Sequence, residues 1–142
     1  MHEYITHDLI VGLGNEIPED ASVNMLVFRE RGTTLVLARG PMDPHKTLAE
    51  TSTHQLSELR KKVTAFKCTK PEEVRVGVDR DIVAMEVQAQ FTQGHTLSCQ
   101  YQLACELPGQ PRLLALTYSK GSVLTQADFD HWQNIKQSLR FA

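Results

Sequence analysis

The stretch VAMEVQAQFTQGHTLSCQYQLACELPGQPRLLALTY, from Val83 to Tyr118, decides the fold. In its first part Val83, Met85, Val87, Ala89 and Phe91 alternate with Ala84, Glu86, Gln88 and Gln90. In its second part Leu97, Cys99, Tyr101, Leu103, Cys105 and Leu107 alternate with Ser98, Gln100, Gln102, Ala104 and Glu106. A strict period of two predicts strands with one face in a core. Thr92-Gln93-Gly94-His95 separates the two runs, and Gly94 supplies the positive φ that a tight hairpin favours. Pro108-Gly109-Gln110-Pro111 is a second turn of the same kind. Arg112 to Ser119 is apolar on both faces at its centre (Leu113, Leu114, Ala115, Leu116), which places it inside the sheet. Gln88, Gln90, Ser98, Gln100 and Gln102 are expected to share the second face as one patch of neutral amides and a hydroxyl.

Outward from that meander, the rest of the chain reads as strands and two helices. Tyr4 to Leu13 is expected to be one strand, followed by a loop through Pro18. Ser22 to Arg29 and Thr33 to Arg39 form a hairpin about Arg31-Gly32. Both faces of that hairpin are largely apolar, so both are expected to be covered. Gly40-Pro41-Met42-Asp43-Pro44 breaks the sheet. A helix follows, capped either by Asp43 with Pro44 at the first helical position or by Thr47 in a capping box with Glu50. Leu48, Leu56, Leu59, Val63 and Phe66 recur at helical spacing, so the helix is expected to run to about Phe66. Glu73 to Val78 is a further strand. Thr125 with Asp128 opens a last helix striped by Phe129, Trp132, Ile135 and Leu139. The order is three strands, a helix, four strands and a helix: an α+β fold with a mostly antiparallel sheet of about six to seven strands flanked by two helices.

The 142 residues are most simply one domain, residues 1–142, with no internal repeat or linker. The 41% hydrophobic and 23% charged contents are those of an ordinary globular chain. A net charge of −2 with no basic run argues against nucleic acid or an anionic membrane surface as partner. No apolar run reaches the length of a membrane-spanning helix, and the start Met1-His2-Glu3-Tyr4 lacks export or lipidation features. A cytoplasmic location is therefore expected. Cys68, Cys99 and Cys105 are odd in number and without metal spacing, so they read as reduced core residues.

Catalytic signatures are missing. The six histidines never pair at metal-ligand spacing, and Gly12-Leu13-Gly14 lacks the third glycine of a dinucleotide fingerprint. Ser52, His54 and Glu58 are triad residue types, but Ser and His two apart on a helix point to different faces. No enzyme activity, metal or cofactor is expected.

With these elements in place, the chain resembles the DcrB-like domain family, whose sheet-and-two-helix architecture is a Mog1/PsbP-like sandwich. Within it the chain is most similar to the Eag-type chaperones of bacterial type VI secretion. The resemblance runs through SVNMLVF, TTLVLARG leading to a helix with HQLSELRKKV, the strands about Gly94 and the closing helix with Trp132. It implies a homodimeric cytoplasmic cradle that shields the N-terminal transmembrane region of a secreted effector. Association with the secretion spike would be indirect, and the chaperone itself would not enter the membrane. By the same resemblance Val23 and Met25 match aliphatic positions lining the cradle. Thr34 and Ala38 match small positions facing the client, Gln55 and Leu59 match positions on the long helix, and Gln102 matches a glutamine of the meander. Ala38 departs by lacking a hydroxyl, and Met25 by being softer than a branched aliphatic. Two other functions are compatible with the residues alone: a binding module for a soluble protein, and a small-ligand binder.

Overall fold

A computed structural model describes all residues, 1–142. The chain runs β1 (His2–Ile5), β2 (Ile10–Gly14), β3 (Val23–Phe28), β4 (Thr33–Pro41), α1 (Leu48–Lys62), β5 (Thr64–Cys68), β6 (Glu72–Val76), β7 (Ile82–Gln93), β8 (Thr96–Glu106), β9 (Arg112–Lys120) and α2 (Gln126–Gln137). β1 and β2 pair only with each other. The other seven strands form one sheet in the order β3-β4-β9-β8-β7-β5, with β6 also paired to β7. Every pairing is antiparallel. The expected α+β architecture, a largely antiparallel sheet with two helices, is the one observed.

The meander forms as its alternation requires. β9 lies inside the sheet between β4 and β8, with Leu113, Leu116 and Tyr118 buried and Leu114, Ala115 and Thr117 half-buried. The chain reverses between β7 and β8 through Gly94, at φ 63°. Both helices begin with reciprocal capping boxes, Thr47 with Glu50 and Thr125 with Asp128. Each satisfies backbone donors that the first helical turn would otherwise leave unpaired. Asp43 is therefore not the cap of α1; it accepts a bond from the His45 amide in the turn before it.

Four expectations give way. Tyr4 to Leu13 is a hairpin, not one strand. The Thr6 amide donates to the Leu9 carbonyl at 2.8 Å, and the Thr6 hydroxyl accepts from the Leu9 amide at 3.0 Å. That local turn folds the segment back on itself. Helix α1 stops at Lys62, because Val63 is already extended at φ −132°. Val63 and Thr64 are β-branched and favour the extended region, and Phe66 continues on β5 beside β7. The order is consequently four strands, a helix, five strands and a helix.

The third revision concerns register. The loop between β7 and β8 leaves Gln93 opposite Thr96, so odd-numbered residues of β7 face even-numbered residues of β8. Val87 stands beside Gln102, and Gln88 beside Tyr101. Cross-strand neighbours project to the same side. The expected single amide patch is thus split: Ser98, Gln100 and Gln102 are on one side, Gln88 and Gln90 on the other.

The fourth concerns β3. Its residues Val23 to Val27 are all exposed, although both faces are largely apolar. Nothing within one chain covers them.

The main core lies on the α2 side of the sheet. Trp132 and Tyr118 are wholly buried among Leu35, Tyr101, Leu103, Cys105 and Leu116. The Trp132 and Tyr101 rings stack with centroids 6.0 Å apart. Cys99 and Cys105 are buried and Cys68 half-buried, and all three are free thiols. Burial pushes the Cys105 thiol up to about 11.

Candidate functional site

The other side of the sheet is built differently. Following the registers across β3, β4, β9, β8 and β7 gives three cross-strand rows. The first is Val27, Thr34, Ser119, Gln100, Ala89; the second Met25, Val36, Thr117, Gln102, Val87; the third Val23, Ala38, Ala115, Ala104, Met85. No residue in these rows carries charge. One row is rich in hydroxyls and amide, the next is mixed, and the last is purely aliphatic.

Helix α1 roofs only part of this face, lying over β7 and β8. Between helix and sheet is a cleft of about 210 Å³ lined by Ser52, Gln55, Leu56 and Leu59 from above and by Val87, Gln102, Ala115 and Thr117 from below. Beyond the cleft β9, β4 and β3 continue as open floor, ending at Val23, Met25 and Val27, which are 63%, 66% and 53% exposed. The whole is a groove with one helical wall.

Its polar groups are only partly satisfied. The Gln102 amide donates to the Gln100 carbonyl oxygen at 2.7 Å, and the Gln100 amide donates to the Ser98 hydroxyl at 3.1 Å. This ladder fixes the row of amides and leaves the Gln102 carbonyl oxygen without a side-chain partner. The Ser52 hydroxyl is buried in the cleft wall with no partner at all. A buried hydroxyl without a hydrogen bond is unfavourable by about 1–3 kcal/mol, so the cleft favours an occupant that brings a donor or acceptor.

The α2 side carries the charges. Lys120 donates to Asp128 at 2.9 Å, and Lys136 pairs with Glu86. Tyr118 Oη lies 2.9 Å from His131 Nδ1. Burial, aided by Arg31, lowers the His131 value. These groups lock α2 to the sheet. The structure contains no group of His, Cys, Asp and Glu placed to hold a metal ion.

All seven positions singled out from the sequence therefore lie on the α1 side. Val23, Met25, Thr34, Ala38 and Gln102 stand in the three rows, and Gln55 and Leu59 line the cleft beside Gln102. Sequence reasoning missed Ser52, Val36, Thr117 and Ser119. Thr117 and Ser119 sit at the end of a strand read only as apolar. Their alternation with Leu116 and Tyr118 was the available signal.

The DcrB family profile matches residues 16–138, nearly the whole of this architecture. The chain belongs to the DcrB family. This DcrB-family chain is also similar in structure to a crystal structure titled as a protein of unknown function, PA94 from Pseudomonas aeruginosa. The TM-score is 0.72 at 20% identity, covering 100% of this chain and 97% of that one. At that identity the likeness establishes the fold alone. No curated protein matches the sequence. Family membership suggests a role in binding protein. No helix of the DcrB-family chain is long and apolar enough to cross a membrane.

Proposed function

We propose that this DcrB-family chain is a non-enzymatic chaperone of the bacterial type VI secretion system. It holds the N-terminal transmembrane region of an effector in the cytoplasm, acting as a homodimer, until the effector is loaded on the spike. The observation that carries this reading is the uncharged face of three rows, half roofed by α1. A membrane helix in water needs its apolar surface covered, and its small-residue or polar packing sites need partners. Aliphatic rows beside unsatisfied amide and hydroxyl groups meet both needs. Charged side chains at these positions would be desolvated against apolar surface at a cost of several kcal/mol each. Affinity then comes mainly from apolar area, at about 25 cal/mol per Å², while the amides set the register of the bound segment.

The test is co-expression without detergent. The tagged chain is produced with the N-terminal, transmembrane-containing segment of an effector encoded beside its gene. A soluble complex is expected. Gln55→Ala and Gln102→Ala are expected to weaken retention of that segment while the unbound protein keeps a cooperative unfolding transition. An effector segment that stays in the pellet while this chain elutes alone would overturn the reading in favour of a soluble partner.

A further inference from the structure

We infer that β3 is the dimer interface: its open edge pairs antiparallel with β3 of a second copy, joining the two sheets into one. The inference deepens the homodimer named above and rests on that part of the reading. Edge strands in natural proteins are blunted by charge, proline, bulges or covering elements, because their free amides and carbonyls recruit other strands. The two ends of this sheet differ in that respect. At one end β5 is short, carries Lys67 and has a register irregularity between Thr64 and Lys67. Beside it β6 carries Glu72, Glu73 and Arg75. At the other end β3 reads VNMLVF, with no charge, proline, glycine or bulge, and pairs in unbroken register with β4. Val23, Met25, Leu26 and Val27 are 49–66% exposed. Hairpin β1–β2 does not cap this edge, because it makes no backbone bond to the seven-stranded sheet.

The sequence around β3 is complementary to itself in the antiparallel sense. Acidic Glu19 and Asp20 precede it, and Arg29, Glu30 and Arg31, with one net positive charge, follow it. Antiparallel pairing about the strand centre brings the acidic flank of one copy toward the net-positive flank of the other, where Arg29 and Arg31 outnumber Glu30. Geometry then fixes the consequence. An isologous antiparallel pair has its two-fold axis perpendicular to the sheet, so both α1 faces lie on the same side. Directly opposed residues must share a face. The axis therefore passes midway between one residue and its own copy, and that residue is Met25 or Leu26 at the middle of the strand. The two open floors become one continuous trough, with an α1 helix as wall at each side. The exposed Val23, Met25 and Val27 of both copies form its centre line.

The experiment compares the full-length wild type, Leu26→Lys, Met25→Cys and Leu26→Cys. Leu26 projects to the α2 side, so its replacement leaves the groove rows intact. Light scattering is expected to give twice the chain mass for the wild type and a single chain mass for Leu26→Lys. The residue flanking the axis faces its own copy at a Cα separation of about 4.5–5.5 Å, within disulfide reach. One of the two cysteine variants is therefore expected to form a covalent dimer on mild oxidation, whereas the wild type, with its free thiols, does not. A monomeric wild type overturns the inference. So does a dimer in which neither cysteine cross-links, and this second criterion holds even if Leu26→Lys fails to fold. A groove that retains the effector segment in a monomer would refute the edge pairing and leave the chaperone reading intact. A cross-linked dimer that ignores the segment would do the reverse.

Discussion

Asp128 concentrates more of the fold than any other single carboxylate. It is 3% exposed. Its Oδ2 accepts from the Thr125 amide at 2.8 Å and from Lys120 Nζ at 2.9 Å. Burial alone would raise its pKa, but the Thr125 amide and Lys120 outweigh burial and hold it below the ordinary carboxylate value. Its contribution to stability is thus complete above the unfolded value of about 3.9 and is lost as pH falls through the lower folded value. Asp128→Asn is expected to destabilise the protein by about 2–3 kcal/mol at neutral pH, because Lys120 is left largely buried and unpaired. The same variant is expected to flatten the acid limb of the stability curve. Urea titrations of both proteins between about pH 7 and pH 3 check both outcomes.

At the scale of elements, the ends of α1 show what a sequence does and does not disclose. Thr47 and Glu50 announced the start through a pairing three residues long, and the structure honours it. The end was hidden because Phe66 falls at helical spacing from Leu59 although it belongs to β5. What stops the helix is the β-branched pair Val63-Thr64, together with the unpaired edge of β7 available to Phe66 and its neighbours. Ala65, between them, sits in the left-handed region at φ 52°. A residue with a Cβ is disfavoured there by about 1 kcal/mol, and glycine is not. Ala65→Gly is therefore expected to raise stability by about 0.5–1 kcal/mol, measured as a shift in the denaturation midpoint without a change in slope. The glutamines failed for a related reason. Alternation assigns faces within a strand, but the parity between β7 and β8 depends on the loop, and a two-residue loop reverses the naive pairing of Val87 with Tyr101.

The whole molecule is a sheet with two unlike sides. The α2 side is closed by aromatic packing and ion pairs, and the α1 side is a groove with an uncharged floor. The aromatic core and the uncharged groove thus occupy opposite surfaces of the same strands. Trp132→Ala is expected to cost about 3–5 kcal/mol, because a wholly buried indole leaves a cavity between Tyr101 and Tyr118. Thermal unfolding of the unbound protein checks it. The seven groove positions came from the family resemblance, position by position; the sheet registers and α1 bring them to one side of the molecule. Ser52 was illegible, because nothing in a sequence marks which helical hydroxyl will be buried without a partner.

Gly77 ties the β6–β7 turn to the end of α2. Its amide donates to the Lys136 carbonyl, and that of Val78 donates to the Leu139 carbonyl, so the β6–β7 turn closes the end of α2. Gly77 adopts φ 98°, and a Cβ there would stand 2.9 Å from the Leu139 carbonyl oxygen. Gly94, at φ 63°, has open space on its Cβ side, and asparagine visits that backbone region readily. Natural variation among relatives that end their last helix on the same turn is thus expected to be silent at position 77 and to admit asparagine at position 94.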